Sequence, residues 1–180
     1  MASYKELFNT CIINNNRISD IEYFISKLMK NKDRYEKVSN STNVPWYVVG
    51  IIHGLEASFD FNKHLHNGDP LTNRTVHVPK GRPIKGNPPF TWEESAIDAL
   101  NMRILPIDWT IENILQFLEA YNGMGYRKRG INSPYLWAGS NHYVKGKFKA
   151  DGVFDPELVS KQIGAAVILK YMQEKGIIVI

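Results

Sequence analysis

The 180-residue chain holds one cysteine, Cys11, so no internal disulfide can form, and no Cys/His cluster has zinc-finger spacing. No apolar run approaches the roughly 20 residues of a membrane-spanning helix. The opening segment, MASYKELFNTCIINNN, lacks a basic stretch followed by an apolar one, so no signal peptide is expected and the chain is expected in the cytoplasm at synthesis. Internal repeats and low-complexity tracts are absent. Hydrophobic residues make up 43% and charged residues 22%, which excludes disorder and collagen-like repeats. The length suits one domain with its own core.

Acids are scarce in two places. From Phe61 to Trp92 there are five cations (Lys63, Arg74, Lys80, Arg82, Lys85) against Asp69 alone. From Ala120 to Ala150 there are six (Arg127, Lys128, Arg129, Lys145, Lys147, Lys149) and no acid. With a net charge of +4, these Gly-, Pro- and Asn-rich stretches suit a polyanion, either nucleic acid or an anionic bacterial wall, or are ordinary solubilising charge.

The first forty residues read as helices. Ile21, Phe24, Ile25, Leu28 and Met29 recur at helical spacing behind a Ser19 or Asp20 cap. Pro45 opens a second helix, PWYVVGIIHGLEASF, apolar nearly all round and therefore expected to be buried. Residues 62–79 change character. Asn67-Gly68-Asp69-Pro70 signals a turn and Thr75–Val78 favour strand, so a small hairpin lobe is expected, followed by a Pro/Gly loop. Thr91 and Glu94 make a capping box for a helix to about Met102, and Asp108 or Thr110 caps another to about Tyr121. Residues 122–154 read as a long functional loop. Asp155-Pro156 is expected to start a final helix whose core face is Val159, Ile163, Ala166, Val167 and Met172.

Glu56 lies near the end of the apolar helix, with Ile52 and His53 one turn back. A carboxylate in such surroundings needs a charged partner or holds its proton near neutral pH, as a general acid does. A surface glutamate is the plainer alternative. His53 reads as a core residue, a supporting partner or a lining residue of a cleft. Asp69 is either turn chemistry or a base or charge stabiliser, since two carboxylates flank the scissile bond in most glycoside hydrolases. Thr72 and Thr75 are plain strand or turn residues or else hydroxyl candidates for holding a water, and His64, His66 and His77 share the segment without defining a tetrahedral metal set. Tyr121, Tyr126, Tyr135, Trp137 and Tyr143, interleaved with Asn122, Asn132 and Asn141, suit a sugar polymer or stacked bases. No nucleic-acid-binding module is visible, so nucleic acid is not expected as a partner.

A helix ending in Glu, a hairpin, and a later helix ending in Ala120-Tyr121-Asn122-Gly123 together resemble the lysozyme-like superfamily: goose-type lysozymes, lytic transglycosylases and endolysins. In the transglycosylase branch the Glu is followed by Ser and a later A-Y-N-x-G lines the cleft. Here the counterparts are Glu56-Ala57-Ser58, one residue looser, and Ala120–Gly123. The string VPWYVVGIIHGLEASFDFNKHLHNGDPLTNRTVHVP, then GNPPFTWEESAIDAL, looks like lysozyme-family proteins of phages and bacteria, and the likeness spans roughly residues 34–172.

The resemblance implies a mainly α-helical α+β fold with the hairpin lobe beside a substrate cleft. It implies cleavage of the β-1,4 glycan backbone of peptidoglycan, with Glu56 as general acid and Tyr121 and Asn122 lining the cleft. His53, His66, Thr75, Tyr126 and Trp137 join them as substrate-binding residues, and Asp69 is the second catalytic candidate. In the phage branch a second acid follows the Glu by about nine residues, where this chain has Leu65. No cofactor or metal is expected. The expected partners are glycan strands and anionic wall polymers, met by a monomer that reaches the wall after release. A lytic transglycosylase, a chitinase-like or chitosan-cleaving enzyme, a non-catalytic wall-binding or phage-tail module and a single-strand nucleic-acid binder are the competing readings.

Overall fold

The computed structural model describes all 180 residues. The protein is α+β and mostly helical, with nine α-helices, a 3₁₀ turn at Asn15–Arg17 and one two-stranded antiparallel sheet. Two compact units divide the chain: residues 26–107, and residues 1–25 with 108–180. No helix is long and apolar enough to cross a membrane.

In the unit of residues 26–107, α3 (Lys32–Thr42) packs on α4 (Trp46–Ala57) and α5 (Trp92–Asn101). Every residue of α4 from Val48 to Leu55 is buried, as its unbroken apolar surface predicts. Gly50 lets this happen. A Cβ there would lie 3.0 Å from the Tyr35 ring and 3.1 Å from Leu28 Cγ, so even a methyl group would force these side chains to give by a few tenths of an ångström. The capping box of α5 forms as expected: Thr91 Oγ1 accepts from the Glu94 N–H, and the Glu94 carboxylate accepts from the Thr91 N–H at 2.7 Å.

In the other unit, α1 (Tyr4–Asn9) packs on α6 (Ile111–Asn122), and α8 (Pro134–Trp137) packs on α6 and on α9 (Ala165–Glu174). Ile114, Leu115, Leu118, Leu136, Trp137, Val167 and Ile168 form its buried interior. The short α7 (Gly125–Lys128) precedes the sheet of β1 (Lys147–Ala150) and β2 (Val153–Asp155). Gly164 caps α9 at the closest approach in this unit. A Cβ there would sit 2.3 Å from the Leu136 carbonyl oxygen, a clash with backbone that no rotamer relieves. α2 (Ile18–Lys30) begins straight from the 3₁₀ turn, with Asp20 in its first turn paired to Arg17 at 2.8 Å.

Two expectations are corrected. Residues 62–79 contain no strand; they form a turn-rich loop with one isolated bridge between Lys63 and Pro70. The reason is local. The N–H groups of Val76 and His77, which a strand ladder would use, donate to the Asp69 carboxylate, and Pro70 and Pro79 have no N–H to offer. The only sheet lies instead within 147–155, in the segment read as loop. The last helix also starts ten residues after Asp155, because Asp155 ends β2 and the chain stays irregular as far as Gly164.

Candidate functional site

Glu56 stands in the last turn of α4. The helix stops one residue later because Ser58 and Phe59 take left-handed backbone angles, φ 50° and 61°. Two such residues in succession are strained without glycine and turn the chain sharply away. The outer side of the final turn is therefore uncovered, and Glu56 is exposed while Ile52, His53 and Leu55 beside it are buried. This corrects the expected apolar enclosure: Glu56 is an exposed residue at the rim of the core.

The reversal is held from below by His53, which is fully buried and lines no cleft. Its Nε2–H donates to the Asp60 carbonyl at 3.1 Å, so Nδ1 accepts the Tyr35 hydroxyl proton at 2.9 Å. Its ring packs at 4.5 Å from both Phe61 and Trp92. Burial pushes its pKa down to about 4, so the imidazole is neutral. Arg34 completes the support. Its guanidinium lies 3.9 Å from the Phe61 ring centre and bonds the Glu93 carboxylate at 2.7 and 3.0 Å. His53 is thus a positioning residue for the chain that follows Glu56.

The loop of residues 60–90 is organised by its own polar groups. Asp69 is buried, and Oδ2 accepts from the Val76 and His77 N–H groups at 2.8 and 3.0 Å, while the His77 ring sits 2.6 Å from Oδ1. The His77 backbone and ring bonds, with that of Val76, hold its pKa down at about 2. A carboxylate so engaged and so weakly basic is a loop anchor and a poor acceptor for a water's proton. His66 is also buried at its side chain. Burial lowers its pKa, so Nε2–H of the neutral ring donates to Asp98 at 2.6 Å. Arg82 grips the same carboxylate with two bonds of 2.7 and 2.9 Å. Thr75 is buried as well: its hydroxyl donates to the Pro79 carbonyl and accepts from the Arg82 N–H. His64 bonds Ser95 and the Asn73 carbonyl. The expected ligand contacts of His53, His66 and Thr75 are corrected on one ground: each ring or hydroxyl satisfies a buried backbone or carboxylate group instead. No group of three or more His, Cys, Asp or Glu side chains is arranged to hold a metal ion.

The residues 120–162 of the other unit form a pocket of about 640 Å³. Asn122, exposed at the end of α6, and Tyr126 of α7 line it. Tyr126 is largely buried. Its hydroxyl accepts from the Phe148 N–H at 3.0 Å and its ring meets Phe148 edge-on at 4.8 Å, which ties α7 to β1. Tyr121 is half-buried beside Phe117. Trp137 is 1% exposed and packs against His142, so it is core and its expected role in binding is corrected.

Sequence reasoning missed Glu119. It is buried in α6, one residue before Ala120-Tyr121-Asn122. The Tyr4 hydroxyl donates to Oε2 at 2.5 Å, and Oε1 has no hydrogen-bond partner. Burial raises the proton affinity of the carboxyl, against the pull of Tyr4 and Arg127. The available signal was its spacing: four residues after Leu115, it falls on the apolar face of α6. Comparison of the chain with models of known protein families, with curated proteins and with solved structures found no match.

Proposed function

We propose that this protein cleaves the β-1,4 glycan backbone of peptidoglycan, with Glu56 as the general acid. The observation that carries the reading is the placement of Glu56: an exposed residue, at the end of a helix otherwise buried from Val48 to Leu55, followed by a strained reversal braced by His53, Phe61 and Arg34. A rigidly mounted acid that meets solvent is available to a polymer arriving from outside. A bound sugar would displace the water around it and raise its hold on the proton. Glu56 would then give that proton to the glycosidic oxygen as the C1–O bond breaks, leaving an oxocarbenium-like sugar and an ionised Glu56.

A specific observation also favours one outcome for that sugar. Asp69, the one acid of the basic loop, is already occupied by Val76 and His77 and is not placed to activate water. A single-carboxylate route needs no second base. The ionised Glu56 takes the proton from the sugar's own C6 hydroxyl, whose oxygen closes on C1 to give a 1,6-anhydro end. This is the lytic-transglycosylase course.

Clearing of purified walls by wild type and by Glu56→Gln tests the assignment. The variant is expected to lose about 10²- to 10⁴-fold in rate, the usual contribution of a general acid. Equal clearing by both proteins removes Glu56 from the chemistry, and clearing by neither favours a non-catalytic wall-binding module. Mass analysis of the released fragments separates anhydro ends from the reducing ends of hydrolysis.

A further inference from the structure

We propose that the pocket formed by α6, α7 and the β1–β2 hairpin is a specificity site for carboxylate-bearing sugars. Four cations line it, Lys128, Arg129, Lys147 and Lys149, against one acid, Asp151. Lys149 alone among the four has an anionic partner, Asp155 at 3.7 Å. Lys128, Arg129 and Lys147 make no ion pair. Like charges gathered around a concave surface repel one another, and that repulsion is relieved when an anion enters.

The cations are also mounted rather than scattered. Arg129 ends α7 with its guanidinium 5.3 Å from the Phe148 ring centre and 5.5 Å from that of Phe154. Contact with the two rings restricts where the guanidinium lies, and its fork could meet a carboxylate with two bonds. Tyr126 ties α7 to β1 through the Phe148 N–H, which holds together the backbone segments that carry Arg129 and Lys147. Asn122 at the same rim offers the paired donor and acceptor that sugar hydroxyls and acetamides use.

The same pocket is poorly built for nucleic acid. A base needs an open aromatic face, and Tyr126 and Tyr135 are 6% and 7% exposed while Phe148 is covered by Arg129. An acidic glycan needs only the cations and the polar rim. The glycan part of this assignment rests on the proposed function, whereas the preference for an anion rests on the pocket alone.

The test is calorimetric titration of the non-cleaving Glu56→Gln protein with two soluble oligosaccharides of equal length. One alternates N-acetylglucosamine with carboxylate-bearing N-acetylmuramic acid; the other is N-acetylglucosamine throughout. The acidic oligosaccharide is expected to bind at least about tenfold more tightly. Adding Lys128→Gln, Arg129→Gln and Lys147→Gln is expected to abolish that difference. Thermal melting checks that the added changes leave the fold intact, and Lys128→Gln alone, at an exposed position, serves as a second variant. Equal binding of the two oligosaccharides, or equal binding by the parent and the variants, overturns the proposal. So does tighter binding of a phosphate polymer or a single-stranded oligonucleotide. If wild type clears no walls but the charge-dependent binding persists, the catalytic reading fails and the pocket stands. If walls are cleared through Glu56 and the binding difference is absent, the reverse holds.

Discussion

His53 carries a pH dependence that follows from its burial. Its pKa is about 4 in the folded protein, against 6.5 for an unperturbed imidazole. The unfolded chain therefore binds a proton that the folded chain excludes, and stability rises with pH across this window. It is fully present above pH 6.5 and is lost as pH falls toward 4, by roughly 3 kcal/mol. His66 acts in the same direction, since burial lowers its pKa too. Denaturant unfolding at pH 7, 5 and 4 is expected to show this loss in wild type and a shallower one in His53→Gln. Parallel profiles for the two proteins would show that His53 is not the titrating group. Asp69 adds a separate dependence at lower pH: with its pKa held near 2, its contribution is lost only as pH falls below the range of free carboxylates.

At the scale of elements, legibility tracks how local each cause is. The buried course of α4 was written in a run of apolar side chains, and the start of α5 in Thr91 and Glu94, three residues apart. The hairpin expected over residues 62–79 does not form because the order of this stretch comes from side chains reaching backbone: Asp69 to residues 76 and 77, Thr75 to residues 79 and 82, His64 to residue 73. Strand propensity at Thr75–Val78 says nothing of a carboxylate that takes the N–H groups first. The exposure of Glu56 was hidden for a similar reason, since it depends on two left-handed residues that no composition rule assigns to Ser-Phe. Asn122 stands at a helix end beside Gly123 and reaches the surface, a placement legible in the sequence. Trp137 was misplaced because an aromatic in a loop reads alike whether it pins or binds. The join between α1 and α6 gives a sharper case. Tyr4 is the one group bonded to the buried Glu119 carboxyl. Tyr4→Phe is expected to cost about 1–3 kcal/mol, because a buried polar group then loses its partner. The cost should shrink in a Glu119→Leu background, where nothing is left unpaired. Chemical denaturation of the four proteins measures the coupling, and a Tyr4→Phe cost that is the same in both backgrounds would rule out the hydrogen bond as its source.

For the whole molecule, the net charge of +4 is less important than how much of it stays unpaired. Of the cations in the two basic stretches, Lys63, Arg82, Lys145 and Lys149 have acidic partners within 4 Å, while Lys80, Lys85, Lys128, Arg129 and Lys147 have none. An anionic wall would meet two kinds of charge. Exposed lysines such as Lys80 and Lys85 act at a distance and are screened once the Debye length falls from about 10 Å at 0.1 M salt to about 3 Å at 1 M. In the pocket of residues 120–162, the half-buried Lys147 would meet its ligand in contact, where screening is weaker. Co-sedimentation of Glu56→Gln with purified walls is therefore expected to fall severalfold between low and high salt and then level off at a residual fraction. That residual fraction should vanish when Lys128→Gln, Arg129→Gln and Lys147→Gln are added, whereas Lys80→Gln and Lys85→Gln should lower only the salt-sensitive part. Binding that ignores salt altogether would mean that charge does not bring this protein to the wall, and a residual fraction untouched by the pocket variants would place the contact elsewhere.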